Sequence, residues 1–181
     1  MPITLNGSGT VTGLTALPDS AMASGSIIQV VQTVKTDTFT TTSTSAVAIT
    51  GLSVSITPSS SSNKIFLIAS IGAASTTTAD YSTFFYFYRG GSLITGTVGD
   101  TESSCTSAAF SIRASHAARS QSTAGHFLDS PSSTSALTYQ LYCSMESNGG
   151  NSVINRDGHS SQTSAGRPRN ISSITAMEVA A

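Results

Sequence analysis

With 181 residues, 38% of them apolar and only 9% charged, the chain can bury a core as one compact domain and is too apolar to be a disordered segment. A net charge of −1 supplies no field for nucleic acid or an anionic membrane surface, and no window approaches the roughly 18 uninterrupted apolar residues of a membrane span. Serine and threonine cover the remaining surface, as is common in extracellular, fibrous and virion proteins and uncommon in cytoplasmic enzymes.

Residues 1–24 differ from the rest. Gly7, Gly9, Gly13 and Pro18 interrupt two short extended pieces, Ile3-Thr4-Leu5 and Thr10-Val11-Thr12-Gly13-Leu14. The segment is too apolar for a free tail and too broken for a core strand pair, so it is expected to be an extended arm. Ile3, Leu5, Val11 and Leu14 would be its docking residues against another chain. It lacks the basic stretch and apolar run of a secretory signal.

Over residues 25–181 the hydrophobic period is two, the signature of strands. Ile27, Ile28, Val30 and Val31 form a run that is apolar on both faces. Leu52, Val54 and Ile56 then alternate with Ser53, Ser55 and Thr57, which leaves one wet face. Ile65-Phe66-Leu67-Ile68-Ala69 and Phe84-Phe85-Tyr86-Phe87-Tyr88 are again two-sided. Ala108, Phe110, Ile112 and Ala114 alternate with small or polar residues, as do Leu137, Tyr139, Leu141, Cys143 and Met145. A last strand runs through Ile171, Ile174, Ala176, Met177 and Val179.

Turn formers separate these runs: Pro58, Gly90-Gly91, Ser130-Pro131, Asn148-Gly149-Gly150 and Asp157-Gly158. No long segment has a helical period, and β-branched threonine is everywhere. The expected fold is all-β, a single antiparallel β-sandwich or jelly roll of about eight to ten strands. A strand apolar on both faces needs a second cover in such a sandwich. The cover is either loops of the same subunit or another subunit; the second is favoured, and a homotrimer is expected with Phe84, Phe85, Tyr86, Phe87 and Tyr88 near its axis.

Catalytic patterns are missing from the sequence. His116, His126 and His159 are its only histidines, and none lies in a nucleophile-elbow or zinc-protease context. Asp100, Glu102, Asp129, Glu146 and Asp157 sit mostly in or beside turns, where aspartate caps its own backbone, so a polysaccharide-cleaving pair is not expected. Asp157 with His159, or His116 with His126, are the residues that could ligate a metal. They read instead as exposed loop histidines and a turn aspartate, and no metal or cofactor is expected. Cys143, on an apolar strand face with Leu141 and Met145, reads as a packed free thiol rather than half of a disulfide with Cys105.

Three stretches together carry a resemblance. The start, Ile3 to Leu14, resembles segments that recur in tail-fibre and other virion proteins of tailed phages, especially those infecting cyanobacteria and marine bacteria. The order Gly25 to Asp37, Gly51 to Pro58, Asn63 to Ala69, closing with Ser172 to Val179, is similar to the terminal domain of such proteins. A second resemblance is to the trimeric jelly rolls of tumour-necrosis-factor and complement globular-head type. It rests on the two-sided strand, Arg89-Gly90-Gly91, and Leu128-Asp129-Ser130-Pro131 before Leu137-Thr138-Tyr139.

What these resemblances imply is a non-enzymatic virion structural protein, exposed on tail or capsid. It would be a homotrimer bound to other virion proteins through residues 1–24, with no nucleic-acid partner and no membrane insertion. As a tail-fibre or receptor-binding protein it would meet host surface glycans through the loops Thr76–Tyr81, Gly96–Thr106, Ser115–Ala124 and Asn148–Gly166. The alternative is a capsid decoration (cement) protein whose arm spans joints between capsid subunits. A surface-polysaccharide enzyme is the third reading, and needs Asp100, Asp129 and Asp157 to converge.

Overall fold

In the computed structural model, residues 21–117, 119–147 and 150–181 are described. The docking residues Ile3, Leu5, Val11 and Leu14 lie outside them. Eleven strands are present: β1 (Ile27–Lys35), β2 (Phe39–Thr41), β3 (Val47–Ile56), β4 (Lys64–Thr76), β5 (Tyr81–Arg89), β6 (Ser92–Leu93), β7 (Phe110–Ala114), β8 (Gln121–Asp129), β9 (Leu137–Met145), β10 (Ser152–Ile154) and β11 (Ser172–Val179). Among the described residues there is no α-helix, and a 3₁₀ turn lies at Thr95–Thr97.

The strands form two antiparallel sheets. In the first, β1, β11, β4 and β8 lie side by side, and the short β10 and β2 extend the β11 and β1 positions beyond them. The second has the order β3, β9, β5, β7, with β6 as a small flap on β5. With the short strands set aside, strands one, eight, three and six of eight form one sheet, and two, seven, four and five the other. This is the jelly-roll arrangement, and it confirms the all-β sandwich.

Alternation explains which faces meet. Ile65, Leu67, Ala69 and Ile71 of β4 and Ile174 and Ala176 of β11 are fully buried against Leu52, Phe85, Tyr139, Leu141 and Cys143 of the other sheet. At 25 cal/mol per Å² of apolar surface, each large side chain here contributes about 1.5–3 kcal/mol. Cys143 and Cys105 are both free, the first buried and the second exposed.

The aromatic strand divides between two environments. Phe85 and Phe87 point into the sandwich, at 0% and 1% exposure, and Phe85 stacks on Phe110 with centroids 4.9 Å apart. These two are occupied by their own subunit and have no surface to offer a neighbour, a correction to their expected place at a trimer axis. Phe84, Tyr86 and Tyr88 take the opposite face, where Tyr88 stacks on Tyr142 at 3.8 Å and the Tyr86 hydroxyl shares a hydrogen bond with Ser144. Tyr86 is nonetheless buried, and Phe84 and Tyr88 are half-buried.

Strand β8 was not legible as a strand because Gly125 breaks its pattern. The glycine is required by space: a Cβ there would lie 2.1 Å from Cδ1 of Phe110. The ring of Phe110 thus fills the position a side chain of β8 would take. Strand β4 also runs further than its apolar core suggests, through Gly72-Ala73-Ala74-Ser75-Thr76, where small residues admit the loops that cross its end.

Candidate functional site

The long strand β4 gives the domain two ends. Its 13 residues span about 40 Å at 3.3 Å per residue. At the Lys64 end, the chain enters through residues 21–26, held to the last strand by Gly25 N–H donating to Ala180 O and Ala180 N–H donating to Ser26 O, both at 2.9 Å. The turn 57–63 and the last residues of the chain, Ala180 and Ala181, share this end, where they border a hollow with Met22.

Glu178 anchors the entry end. It is fully buried, and its Oε1 accepts from Ser59 N–H (2.7 Å), Ser59 Oγ (2.8 Å) and Asn63 Nδ2 (2.7 Å), while Oε2 accepts from Gln29 Nε2 at 2.6 Å. Burial opposes its ionisation, but these donors outweigh burial and hold the carboxyl below its ordinary value. Asp129 also lies toward this end, paired with Ile65 in register. It binds Arg89 Nη1 at 2.5 Å and the Tyr139 hydroxyl at 2.7 Å.

At the Thr76 end, three of the four expected recognition loops converge on one cleft. It has a volume of ≈ 410 Å³ and is lined by Thr77, Ala117, Asn151, Arg156, Gly158, His159 and Ser160. The expected loops are partly strand: Thr76 ends β4, Gln121–Ala124 begin β8, and Ser152–Ile154 form β10. What remains of them is pinned at several points. Gly96–Thr106 supplies none of the lining residues.

The pinning is by hydrogen bonds from the end of β4. Ser75 Oγ donates to the carbonyls of Arg119 (2.8 Å) and Ala117 (3.3 Å), and Gly158 N–H donates to Ala117 O at 2.8 Å. Thr77 N–H donates to Asn151 O, and Asn151 N–H to Thr77 Oγ1, both at 2.8 Å. Asn155 adopts φ 64°, a left-handed conformation asparagine tolerates. Its Nδ2 donates to Lys35 O and Asp37 O, and its Oδ1 accepts from Ser172 Oγ.

Asp157 caps its own turn, as the sequence suggests, and is in addition fully buried. Its Oδ1 accepts from Gln162 Nε2 (2.7 Å) and His159 N–H (3.2 Å), and Oδ2 accepts from Arg167 Nη1 (3.0 Å). Burial works against the charge, and the Gln162 and Arg167 donors overcome it, so the carboxyl stays below the usual aspartate range. The pair Asp157–Arg167 is thereby neutralised inside the loop. Arg167, five residues after Gln162 in a serine-rich stretch, gives no local signal of this partnership.

Arg156 and His159 are left over. No carboxylate pairs with Arg156 among the described residues; its guanidinium reaches only His159 O (3.3 Å), Asp157 O (3.5 Å) and Thr40 Oγ1 (3.5 Å), all long contacts. Its backbone bridges to Arg169, so a second arginine lies alongside. Nδ1 of His159 is buried and has no hydrogen-bond partner among the described residues. Gln162 Oε1, in the same loop, is also buried without a partner among the described residues, and an unmet buried polar atom costs about 1–3 kcal/mol. His126 lies apart, on the outer face of β8 with its ring 6.1 Å from Phe66.

A second surface feature is apolar. In register, Val30, Met177, Phe66 and Leu128 form one row across the four long strands of the first sheet. They face away from the core, and Val30 and Leu128 are 54% and 44% exposed. Ile27 and Val34 extend this surface along β1. None of the large exposed apolar side chains lies on the aromatic strand β5.

Compared with models of known protein families and with curated proteins, the chain matches none.

Proposed function

We propose that this chain is a non-enzymatic virion structural protein of a tailed phage, a homotrimeric tail-fibre or receptor-binding protein. The observation that carries the reading is its polarity. Residues 21–26 join the jelly roll at the Lys64 end, while the pinned loops and their cleft occupy the Thr76 end, which supports separate docking and recognition ends.

The outer face of the first sheet supports the trimer. A row of apolar side chains crossing four strands, exposed at both edges, is costly to leave in water and has the character of a subunit interface. The interface assigned on this basis is Ile27, Val30, Phe66, Leu128 and Met177, with the half-buried Phe84 and Tyr88 on the opposite sheet. A binding role rather than a catalytic one is supported by the carboxylates. Asp129 and Asp157 are at opposite ends of the sandwich, each already engaged by an arginine.

The test is to count copies per virion against the major capsid protein by quantitative mass spectrometry. A small multiple of the tail's symmetry is expected. A count comparable with the capsid protein makes it a decoration protein instead, and absence from virions overturns the reading altogether.

A further inference from the structure

We propose that the cleft at the Thr76 end binds a carboxylate-bearing sugar of an acidic surface polysaccharide, with Arg156 as the anchor for the carboxylate. The inference rests on the adhesin reading and names the ligand class of its binding site.

The cleft's chemistry selects the charge. Its lining contains no acidic side chain, while Arg156 lies in it without a carboxylate partner among the described residues. The nearest carboxylate in sequence, Asp157, is turned to Arg167 and cancelled there. Arg169, bridged to the backbone of Arg156, adds to the positive potential. An anion entering the cleft therefore meets unopposed positive charge in a partly desolvated setting, where charge-assisted hydrogen bonds are strongest.

The donor set selects the kind of anion. A single planar guanidinium matches a carboxylate, which it grips by two parallel N–H bonds. Neither of the chain's two lysines, Lys35 and Lys64, contributes to the lining, nor does a helix N-terminus, so Arg156 is the one fixed positive charge among the lining residues, against the two negative charges of a phosphate. Around the arginine stand Thr77, Asn151 and Ser160, side chains suited to sugar hydroxyls, and His159 with its unpaired ring nitrogen. A volume of ≈ 410 Å³ lies within the range of about 300–1,000 Å³ for small-ligand sites.

The walls are already in place. Asn155 and Gly158 fix the loop that carries Arg156 and His159 to β4, β11 and Ala117, and Asp157 ties the loop to itself through Gln162 and Arg167, so binding need not order the site. One such site is weak. Three on a trimer and several trimers on a virion give useful avidity.

The experiment uses the full chain, titrated by calorimetry with tetragalacturonate, its fully methyl-esterified form and inorganic phosphate. The acid is expected to bind at least about tenfold more tightly than the ester or phosphate. Arg156→Gln should abolish that preference, and Arg156→Lys should restore it only in part, since it returns the charge without the fork. Ser160→Trp, placed on an exposed position at the rim, should block binding with no loss of folding, and covers the case in which Arg156→Gln fails to fold. Equal binding of acid and ester, tighter binding of phosphate, no binding of tetragalacturonate, or wild-type affinity in a folded Arg156→Gln protein would each overturn the proposal. Host-cell attachment separates the two levels. Attachment that survives Arg156→Gln and Ser160→Trp removes the cleft and leaves the adhesin standing, whereas a wild-type protein that never attaches removes the adhesin reading as well.

Discussion

A Cβ on Gly158 would lie 2.0 Å from the carbonyl oxygen of Thr76, closer than any real contact allows. The loop between β10 and β11 can therefore approach the end of β4 only with glycine at this point. That approach sets Ala117 O within 2.8 Å of Gly158 N–H and closes the cleft floor.

Gly158→Ala is accordingly expected to destabilise the protein by about 1–3 kcal/mol, the cost of overpacking a site whose neighbours are backbone. The melting temperature should drop by several degrees in a thermal scan. Ligand binding in the cleft should be lost even at temperatures where the variant remains folded.

The exposed apolar row predicts where assembly can be broken. If the proposed trimer forms through this row, Val30→Asp combined with Leu128→Asp should raise the concentration at which it dissociates by about two orders of magnitude or more, because each side chain contributes some 1.5 kcal/mol or more when buried. Sedimentation would read the mass and circular dichroism the unchanged fold, since neither residue faces the core. Assembly through the proposed apolar interface should depend only weakly on salt, since no ion pair belongs to that row. Dissociation by moderate salt alone would contradict the interface.

Acid sensitivity follows from Asp157 and Glu178. Both carboxyls are held below their ordinary values of 3.8 and 4.5 in the folded protein, so unfolding in acid takes up protons. Their contribution is fully present above about pH 5, and is lost as the pH falls past the ordinary values and through the folded ones. Chemical denaturation should show a flat stability from pH 8 to about 5 and a decline below. Glu178→Gln removes acceptors from the four donors on that carboxylate, and should cost about 1–3 kcal/mol at pH 7 while flattening the acid decline.

The two thiols should separate cleanly. Burial pushes the Cys143 thiol up to about 12 and closes off access, whereas Cys105 is exposed. One equivalent is expected to react with a thiol reagent in the native protein at pH 8, and two after unfolding. Two fast-reacting thiols in the native state would contradict the packing of Cys143 at 0% exposure.

Period-two patterning was enough to read the core of this protein. Leu137 to Met145, Ile65 to Ala69 and Leu52 to Ile56 alternate or run apolar because their strands face the other sheet, and local burial leaves that mark in the sequence. Strand β8 left none, since the space its Gly125 lacks is filled by Phe110 from another strand. The aromatic run Phe84 to Tyr88 was legible as two-sided, but which partner covers each side was not. Phe85 and Phe87 meet their own subunit's core, and the most exposed apolar surface lies on the other sheet, at Val30 and Leu128.

The sequence by itself determined that strands form, where they turn and which residues are apolar, because these are properties of neighbours along the chain. Tertiary structure alone decided the site. Arg156, His159 and Thr77 are brought together across about 80 residues, and Asp157 is taken out of solvent by Arg167 and Gln162, through contacts that have no period and leave no local trace.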